Sequence, residues 1–279
     1  MYVDSHCHLS FPELKASLTE IRAAMAAAGV DRALCICTTL EEFDEVHALA
    51  VSYDNFWCSA GVHPDSEAVR EPSVDDLLAL ASRPRVVAIG ETGLDYYRLN
   101  GRSIAEMEWQ RDRFRVHIRA ARASLLPLVV HTRSASVDTL SVLREEGGEE
   151  AGGVFHCFTE TAEVARGALE LGFHISFSGI LTFKTAGELR EVARMVPLDR
   201  CLIETDSPYL APVPYRGKVN SPAYVPWVAR QLAEIKGVTM EEIAAATTAN
   251  FERLFLSERS SNTPKISKLL QISNASRYG

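Results

Sequence analysis

The feature that most constrains the fold is a repeated alternation of short apolar segments with amphipathic segments of helical spacing. Eight apolar segments have the length of strands, and each is followed by a predicted helix. The predicted strands are Tyr2–Val3 with the residues that follow, 33–37, 56–60, 86–89, 128–130, 153–155, 173–176 and 201–203. Buried parallel strands are continuous apolar runs, as these are. The alternation therefore predicts an α/β fold of the (β/α)8 TIM-barrel class.

The predicted helices set the domain boundaries. They cover 17–28, 41–51, 74–81, 104–123, 137–146, 162–171, 187–195, 224–236 and 240–255. No internal stretch is rich enough in Pro, Gly or Ser to separate two domains, so we expect one barrel domain over 1–256. The polar segment 257–279 is expected to lie outside the barrel, either disordered or docked through Leu269, Leu270 and Ile272.

Composition narrows the functional classes. The formal net charge of −8 argues against a protein that coats nucleic acid through bulk charge. No stretch approaches the roughly 20 apolar residues of a membrane span, and the start lacks the pattern of a secretion signal. The 6 cysteines include no CxxC pair, which favours reduced thiols in a cytoplasmic protein. A monomer is the favoured oligomeric state.

Metal-ligating side chains occur at the predicted carboxyl ends of the strands, where barrels of this class carry their chemistry. His6 and His8 lie two residues apart on an extended strand, so both imidazoles point to the same side. Further candidates follow later strands: Glu91, His131, His156 and Asp206. Four histidines and two acids at one rim are what two divalent cations require.

Each of these residues also has a structural explanation when taken alone. Glu91 could cap a helix or pair with Arg98, and Asp206 before Ser-Pro could be a turn residue. His131 and His156 could be core histidines bonded to the backbone. These explanations would have to hold independently at every strand end, so together the residues favour a metal site.

The strand-end motifs resemble the TatD family of metal-dependent hydrolases, within the amidohydrolase-like barrel superfamily. The matching stretches are 4–8 (DSHCH), 61–64 (GVHP), 90–97 (GETGLDYY), 131–133 (HTR), 156–158 (HCF), 204–209 (ETDSPY) and 250–255 (NFERLF). The resemblance covers the chain up to about residue 256. It implies a two-metal phosphodiesterase, commonly a DNase.

The resemblance also implies how the ligands divide. His6, His8 and Asp206 would hold one ion, His131 and His156 would hold the other, and Glu91 would bridge the two. A water activated between two ions about 3.5–4 Å apart would attack phosphorus in line. The ligand types admit Zn²⁺, Mn²⁺, Mg²⁺ or Fe²⁺.

Two acids are catalytic candidates. Asp206 is expected to accept or relay the proton of the attacking water. Glu204 lies two residues earlier on the same strand face, and we expect it either to assist or to form an ion pair in the barrel core.

Three residues are candidates for substrate binding. His63 before Pro64 is expected to contact substrate or to fix a turn. Arg133 would bind a phosphate or pair with an acid. Tyr209 would stack on a base or pack at the rim, as would Tyr96 or Phe158.

The acidic net charge favours a small contact area on nucleic acid. The expected partner is therefore single-stranded DNA or a frayed strand end, and the expected reaction is exonuclease cleavage. Two alternatives stay open. A hydrolase of the same fold could act on an amide, an ester or a small phosphate compound. A binding protein could retain the metal site without turnover.

Overall fold

The eight predicted strands form one parallel sheet in the order β1 to β8 in the computed structural model. The structure describes residues 1–257, so all of the predicted tail 257–279 except Ser257 lies outside the described residues, including Leu269, Leu270 and Ile272. The strands are β1 (Tyr2–Cys7), β2 (Val30–Cys35), β3 (Phe56–Ala60), β4 (Val86–Asp95), β5 (Leu128–Arg133), β6 (Gly153–Phe155), β7 (His174–Phe177) and β8 (Cys201–Ile203). The helices are α1 (Pro12–Lys15), α2 (Leu18–Ala27), α3 (Phe43–Ser52), α4 (Val74–Ala81), α5 (Glu108–Ser124), α6 (Ser136–Glu145), α7 (Ala162–Glu170), α8 (Gly187–Met195), α9 (Val225–Lys236) and α10 (Met240–Phe255).

The sheet closes into a barrel where the ends of β1 and β8 meet. The His8 amide donates to the Ser207 carbonyl at 2.8 Å, and the Asp206 amide donates to the His6 carbonyl at 2.9 Å. Cys7 of β1 and Ser207, four residues after the end of β8, form an isolated parallel bridge. The predicted (β/α)8 barrel is therefore confirmed, and its seam joins the first histidine motif to the last acidic one.

Two strands are longer than their apolar cores predict. β4 and β5 were expected to end at Ile89 and Val130, yet they continue to Asp95 and Arg133. The ladder between the two strands continues through Gly93 paired with His131 and Asp95 paired with Arg133. Backbone hydrogen bonding thus extends the strands into polar sequence, where the apolar pattern can no longer show them.

The barrel interior holds its own apolar cluster, which six of the eight strands supply. Phe251 and Phe255 of α10 belong to this cluster and are fully buried. Asn250 on the same helix donates to the carbonyls of Leu198 and Cys201, at the start of β8. The carboxyl-terminal half of α10 therefore covers the amino-terminal end of the barrel, opposite the ligand-bearing rim.

Local signals set several helix boundaries. Ser73 and Asp76 form a capping box at the start of α4, and Thr239 and Glu242 form another at α10. Gly237 ends α9 at φ 67°, a left-handed conformation that favours glycine. Within residues 1–257, no helix is both long and apolar enough to cross a bilayer. All six cysteines are free thiols, as expected.

Candidate metal centre

A β-bulge turns the first histidine pair into the barrel. β1 carries the bulge between Asp4 and Cys7, where three steps along β1 match two steps along β2. Val3 belongs to the interior cluster, and strict alternation from Val3 would turn Cys7 inward and both His6 and His8 outward. The extra residue reverses this order, so Cys7 packs in the outer layer and the imidazoles face the mouth.

A second bulge acts in the same way on β4. The register shifts between Ile89 and Thr92, again with three steps matched by two on the neighbouring strand. β4 also has an earlier register shift against β3, between Val86 and Ala88, so Val87 and Ala88 both lie in the interior cluster. Alternation counted from Ala88 would point Thr92 inward. The bulge instead directs the Glu91 side chain to the centre of the mouth, where it is almost fully buried at 2 % exposure.

The two carboxylate oxygens of Glu91 face different histidines. Oε2 lies 3.3 Å from His6 Nε2 and 3.9 Å from His8 Nε2. Oε1 lies 2.7 Å from His156 Nε2 and 3.2 Å from His131 Nδ1. One carboxylate therefore stands between two separate pairs of imidazoles.

Asp206 completes the set around Oε2 of Glu91. Its Oδ1 lies 3.3 Å from His8 Nε2 and 3.5 Å from His6 Nε2, and the two imidazole nitrogens are themselves 3.3 Å apart. Two ligands at about 2.1 Å from a tetrahedrally coordinated ion lie roughly 3.4 Å from one another. The separations thus fit side chains arranged around a shared cation, and the imidazole and carboxylate donors suit a divalent one. Two groups of side chains here are able to hold a metal ion: His6 with His8 and Glu91, and His6 with His156 and Asp206.

The pKa values of the surrounding groups shift in different directions. Burial lowers the pKa of the His156 imidazole, but Glu91 and then Glu204 raise it overall, well above its usual range. Burial raises the pKa of the Glu91 carboxyl, but the surrounding imidazoles of His156, His63 and His6 outweigh burial and hold that pKa well below its usual range. Burial acts likewise on Asp206, and nearby histidines again lower its pKa overall. Burial lowers the pKa of His6, which favours the neutral imidazole that a metal ion requires.

A further carboxylate orients His131. Asp95 Oδ2 lies 3.0 Å from Nε2 of His131, which leaves Nδ1 facing Glu91. A Cβ on Gly93 would lie 1.9 Å from the His131 carbonyl oxygen, so only glycine permits this approach of β4 to β5. Sequence analysis gave Asp95 no role, although Glu91, Gly93 and Asp95 at alternate positions are the signal of one shared strand face.

Glu204 lies behind His156. Its Oε1 is 3.3 Å from His156 Nδ1 and accepts the Cys157 amide at 2.8 Å. Glu204 has no exposed surface, so the structure separates it from any substrate at the mouth. Carboxylates in this position orient a histidine and strengthen it as a ligand.

Asp4 fixes the strand that carries the first histidine pair. It accepts hydrogen bonds from the Thr205 amide at 2.9 Å and the Thr205 hydroxyl at 2.5 Å. Burial raises the pKa of Asp4 to about 8 despite those bonds. This contact couples the end of β8, and hence Asp206, to the position of His6.

His63 lies inside the cluster. Its Nε2 is 3.2 Å from Oε1 of Glu91, and its Nδ1 is 2.5 Å from Asp65 Oδ1. Burial lowers the pKa of His63, but Glu91 and then Asp65 raise it overall to about 10. With Glu91 and His131 it forms a third group of side chains able to hold a metal.

Two buried residues of α5 hold the segment that carries His63. Arg113 donates to the His63 carbonyl at 2.7 Å and to the Ser66 carbonyl at 2.8 Å. His117 Nε2 accepts the Val62 amide at 2.9 Å, while its Nδ1 donates to the Arg113 carbonyl at 2.8 Å. Nothing in the local sequence shows this contact between Val62 and His117, which spans 55 positions.

The other proposed substrate residues lie at the rim. Arg133 is exposed, and its guanidinium lies 3.6 Å from the centre of the Tyr97 ring. Tyr209 is 51 % exposed. Tyr96 and Phe158 are buried, at 6 % and 2 % exposure, which favours the alternative that they pack at the rim. Tyr96 also donates its hydroxyl to Asp138.

Comparison with known proteins identifies the family of this chain. The family model described as TatD related DNase matches residues 3–256. The chain is 49 % identical to the uncharacterised metal-dependent hydrolase YcfH of Escherichia coli K12 over 257 residues, which covers 91 % of this chain and 95 % of the relative. It is 40 % identical over 247 residues to the 3′-5′ ssDNA/RNA exonuclease TatD of Cronobacter turicensis, covering 86 % and 92 %.

A solved structure supports the fold independently. The TatD homologue YJJV of Escherichia coli K12 superposes with a TM-score of 0.82 at 28 % identity, covering 91 % of this chain and 97 % of that one. The family model spans nearly the whole barrel, and the relatives from Escherichia coli and Cronobacter turicensis are 49 % and 40 % identical to this chain. The chain therefore belongs to the TatD family and is a metal-dependent hydrolase.

Proposed function

We propose that this protein is a two-metal phosphodiesterase that removes nucleotides from the 3′ end of single-stranded DNA. The observation that carries the proposal is the placement of Glu91, whose two oxygens face separate histidine pairs. A carboxylate in that position can bridge two cations. We propose that His6, His8 and Asp206 hold one ion and that His131 and His156 hold the other.

Two divalent cations held in this way lower the pKa of a water molecule and neutralise charge that develops on a phosphodiester. Asp206 is the acid in the set that reaches solvent, since its side chain is 16 % exposed and that of Glu91 is 3 % exposed. We therefore assign proton acceptance from the attacking water to Asp206. Glu204 is assigned a positioning role through His156, in place of contact with substrate.

The residues around the mouth fit an anionic substrate. His63 is held by Asp65 with Nε2 directed at the centre, where it would donate to a phosphate oxygen. Arg133 follows His131 by two positions on β5, so both side chains point to the same side. We propose that Arg133 binds a neighbouring phosphate.

Three observations support a small, end-directed footprint on nucleic acid. The relative from Cronobacter turicensis is named an exonuclease on single-stranded DNA and RNA, with 3′-5′ polarity. The net charge of −8 disfavours long contacts with a duplex. The ligand cluster lies at the ligand-bearing rim of the barrel, where the end of a single strand can reach it.

The family match over 3–256 supports one catalytic domain, and the unpaired cysteines support a cytoplasmic location.

The test is cleavage of single-stranded DNA labelled at either the 5′ or the 3′ end, with Mg²⁺, Mn²⁺ or Zn²⁺ supplied separately. We expect stepwise shortening of the 5′-labelled strand and immediate release of label from the 3′-labelled strand. Closed circular single strands should resist cleavage. Glu91→Gln is the matched control, because it keeps the shape of the side chain but removes the charge that both ion sites share.

Two results would contradict the proposal. Cleavage of closed circles at the rate of linear strands would exclude end-directed action. Failure to cleave any phosphodiester with all three metals, together with hydrolysis of an amide or carboxylic ester panel, would favour the alternative substrate class.

A further inference from the structure

The two largely exposed aromatic side chains of residues 1–257 both lie beside the metal centre. Tyr97 is 59 % exposed and Tyr209 is 51 % exposed. Tyr97 follows Asp95 by two positions, and Tyr209 follows Asp206 by three. Tyrosine side chains are enriched at binding surfaces, because the ring offers apolar contact area while the hydroxyl tolerates water.

The two tyrosines lie on opposite sides of the barrel mouth. Tyr97 extends from the end of β4, beside β5, whereas Tyr209 follows β8 at its seam with β1. The strand order β1 to β8 puts four strands between these two places in either direction. A substrate centred on Glu91 would therefore have one aromatic ring on each side.

The first aromatic platform consists of Tyr97 and Arg133. The Tyr97 amide donates to Asp95 Oδ1 at 2.9 Å, which fixes the backbone next to the carboxylate that orients His131. The Arg133 guanidinium lies 3.6 Å from the ring centre and covers one face of it. Tyr97 is nevertheless 59 % exposed, so a ligand can reach the ring next to a cation.

The second aromatic platform consists of Tyr209 and Phe11. The Phe11 ring stacks on the imidazole of His8 with centroids 4.6 Å apart, and Tyr209 meets Phe11 edge-on at 6.3 Å. The Tyr209 amide donates to the Asp206 carbonyl at 3.0 Å. This platform is therefore anchored to the ligands around Oε2 of Glu91, as the first is anchored to those around Oε1.

We infer that the two platforms are base-stacking subsites on either side of the scissile phosphate, so that the enzyme binds a splayed pair of consecutive nucleotides of a single strand. This inference rests on the proposed nuclease function. Stacking on an aromatic ring accepts any base, because every base has a π-face. Base-paired nucleotides cannot splay apart across the mouth, so the platforms select unpaired strand ends.

The test compares oligothymidylate with oligomers of the same length that lack one base, on the 5′ or the 3′ side of the terminal linkage. The enzymes are the wild type, Tyr97→Ala, Tyr209→Ala and Leu125→Ala, each loaded with the most active metal. Leu125 is an equally exposed apolar control at 59 % exposure, and it lies between α5 and β5, away from the ligand rim. Tyr97→Phe keeps the ring and should behave as the wild type.

Each tyrosine variant should raise KM for oligothymidylate by about 5- to 140-fold, the range for loss of one stacked base. Each should also become insensitive to loss of the base on its own side while still responding to loss of the other base. A tyrosine that served only the fold would lower activity equally on all three oligomers. Variants that discriminate the abasic oligomers as the wild type does would overturn the inference, whereas a wild type that cleaves no oligomer would overturn the nuclease proposal and the inference with it.

Discussion

Replacing His117 by glutamine should make the protein less sensitive to acid. His117 is fully buried, its Nε2 accepts the Val62 amide, and its Nδ1 donates to the Arg113 carbonyl. A second proton on the imidazole ring would place the Nε2–H of His117 against the N–H of Val62. Burial, reinforced by the Arg113 guanidinium, accordingly lowers the pKa of His117 to about 4.

The sign and size of the effect follow from that shift. In the unfolded chain a histidine has a pKa of about 6.5, so between pH 6.5 and 4 the unfolded state binds more protons at this position. The stabilisation from neutral His117 is therefore present above pH 6.5 and is lost as the pH falls toward 4. Acidification from pH 7 to pH 4.5 therefore lowers the free energy of unfolding by about 2 kcal/mol through His117 alone.

Urea unfolding of the metal-free protein at pH 7 and pH 4.5 measures the effect. Wild type and His117→Gln share every other titrating group, so the difference between their pH responses isolates His117. Glutamine retains an acceptor for the Val62 amide and should lose about 2 kcal/mol less on acidification. Equal losses in the two proteins would refute the assignment of a buried neutral imidazole at this position.

Three further outcomes are expected. Asp206→Asn should lower turnover at least 100-fold while leaving the circular dichroism spectrum unchanged, and activity near wild type would remove Asp206 from proton transfer. Gly93→Ala should abolish soluble expression or cost more than about 3 kcal/mol in urea unfolding, because its Cβ would meet a carbonyl oxygen at 1.9 Å. The control Gly101→Ala also has positive φ, but nothing lies within 4 Å of its Cβ, so it should cost only about 1–2 kcal/mol. Arg113→Met should lower kcat at least tenfold, since it frees the segment that positions His63, and a change confined to thermal stability would contradict that role.

The ligand set could be predicted from sequence because each candidate follows an apolar strand. Such strands fix which end of the barrel their last residues reach, as they do for His131 and His156. The direction in which the side chains of His6 and Glu91 point could not be derived in the same way. It depends on bulges in β1 and β4, and an extra residue within a buried strand leaves the apolar pattern unchanged.

The supporting residues were harder to predict because their partners are distant in sequence. Arg113 lies on a helix and reaches carbonyls up to 50 positions earlier, a contact that only the packing of α5 against the barrel creates. For Glu204, by contrast, the sequence predicted the strand face but not how deeply the side chain is buried. Burial behind His156 decides between contact with substrate and positioning of a ligand, and depth depends on the closed barrel as a whole.

The covering of the barrel by α10 has a consequence for how the enzyme would proceed along a strand. Phe251 and Phe255 fill the amino-terminal end of the described barrel, so a strand cannot thread through it as through a ring or a tunnel. Released nucleotide and remaining strand must both leave by the opening through which the strand entered. For the proposed nuclease, the cleaved nucleotide must therefore clear the mouth before the next linkage can reach the metal centre.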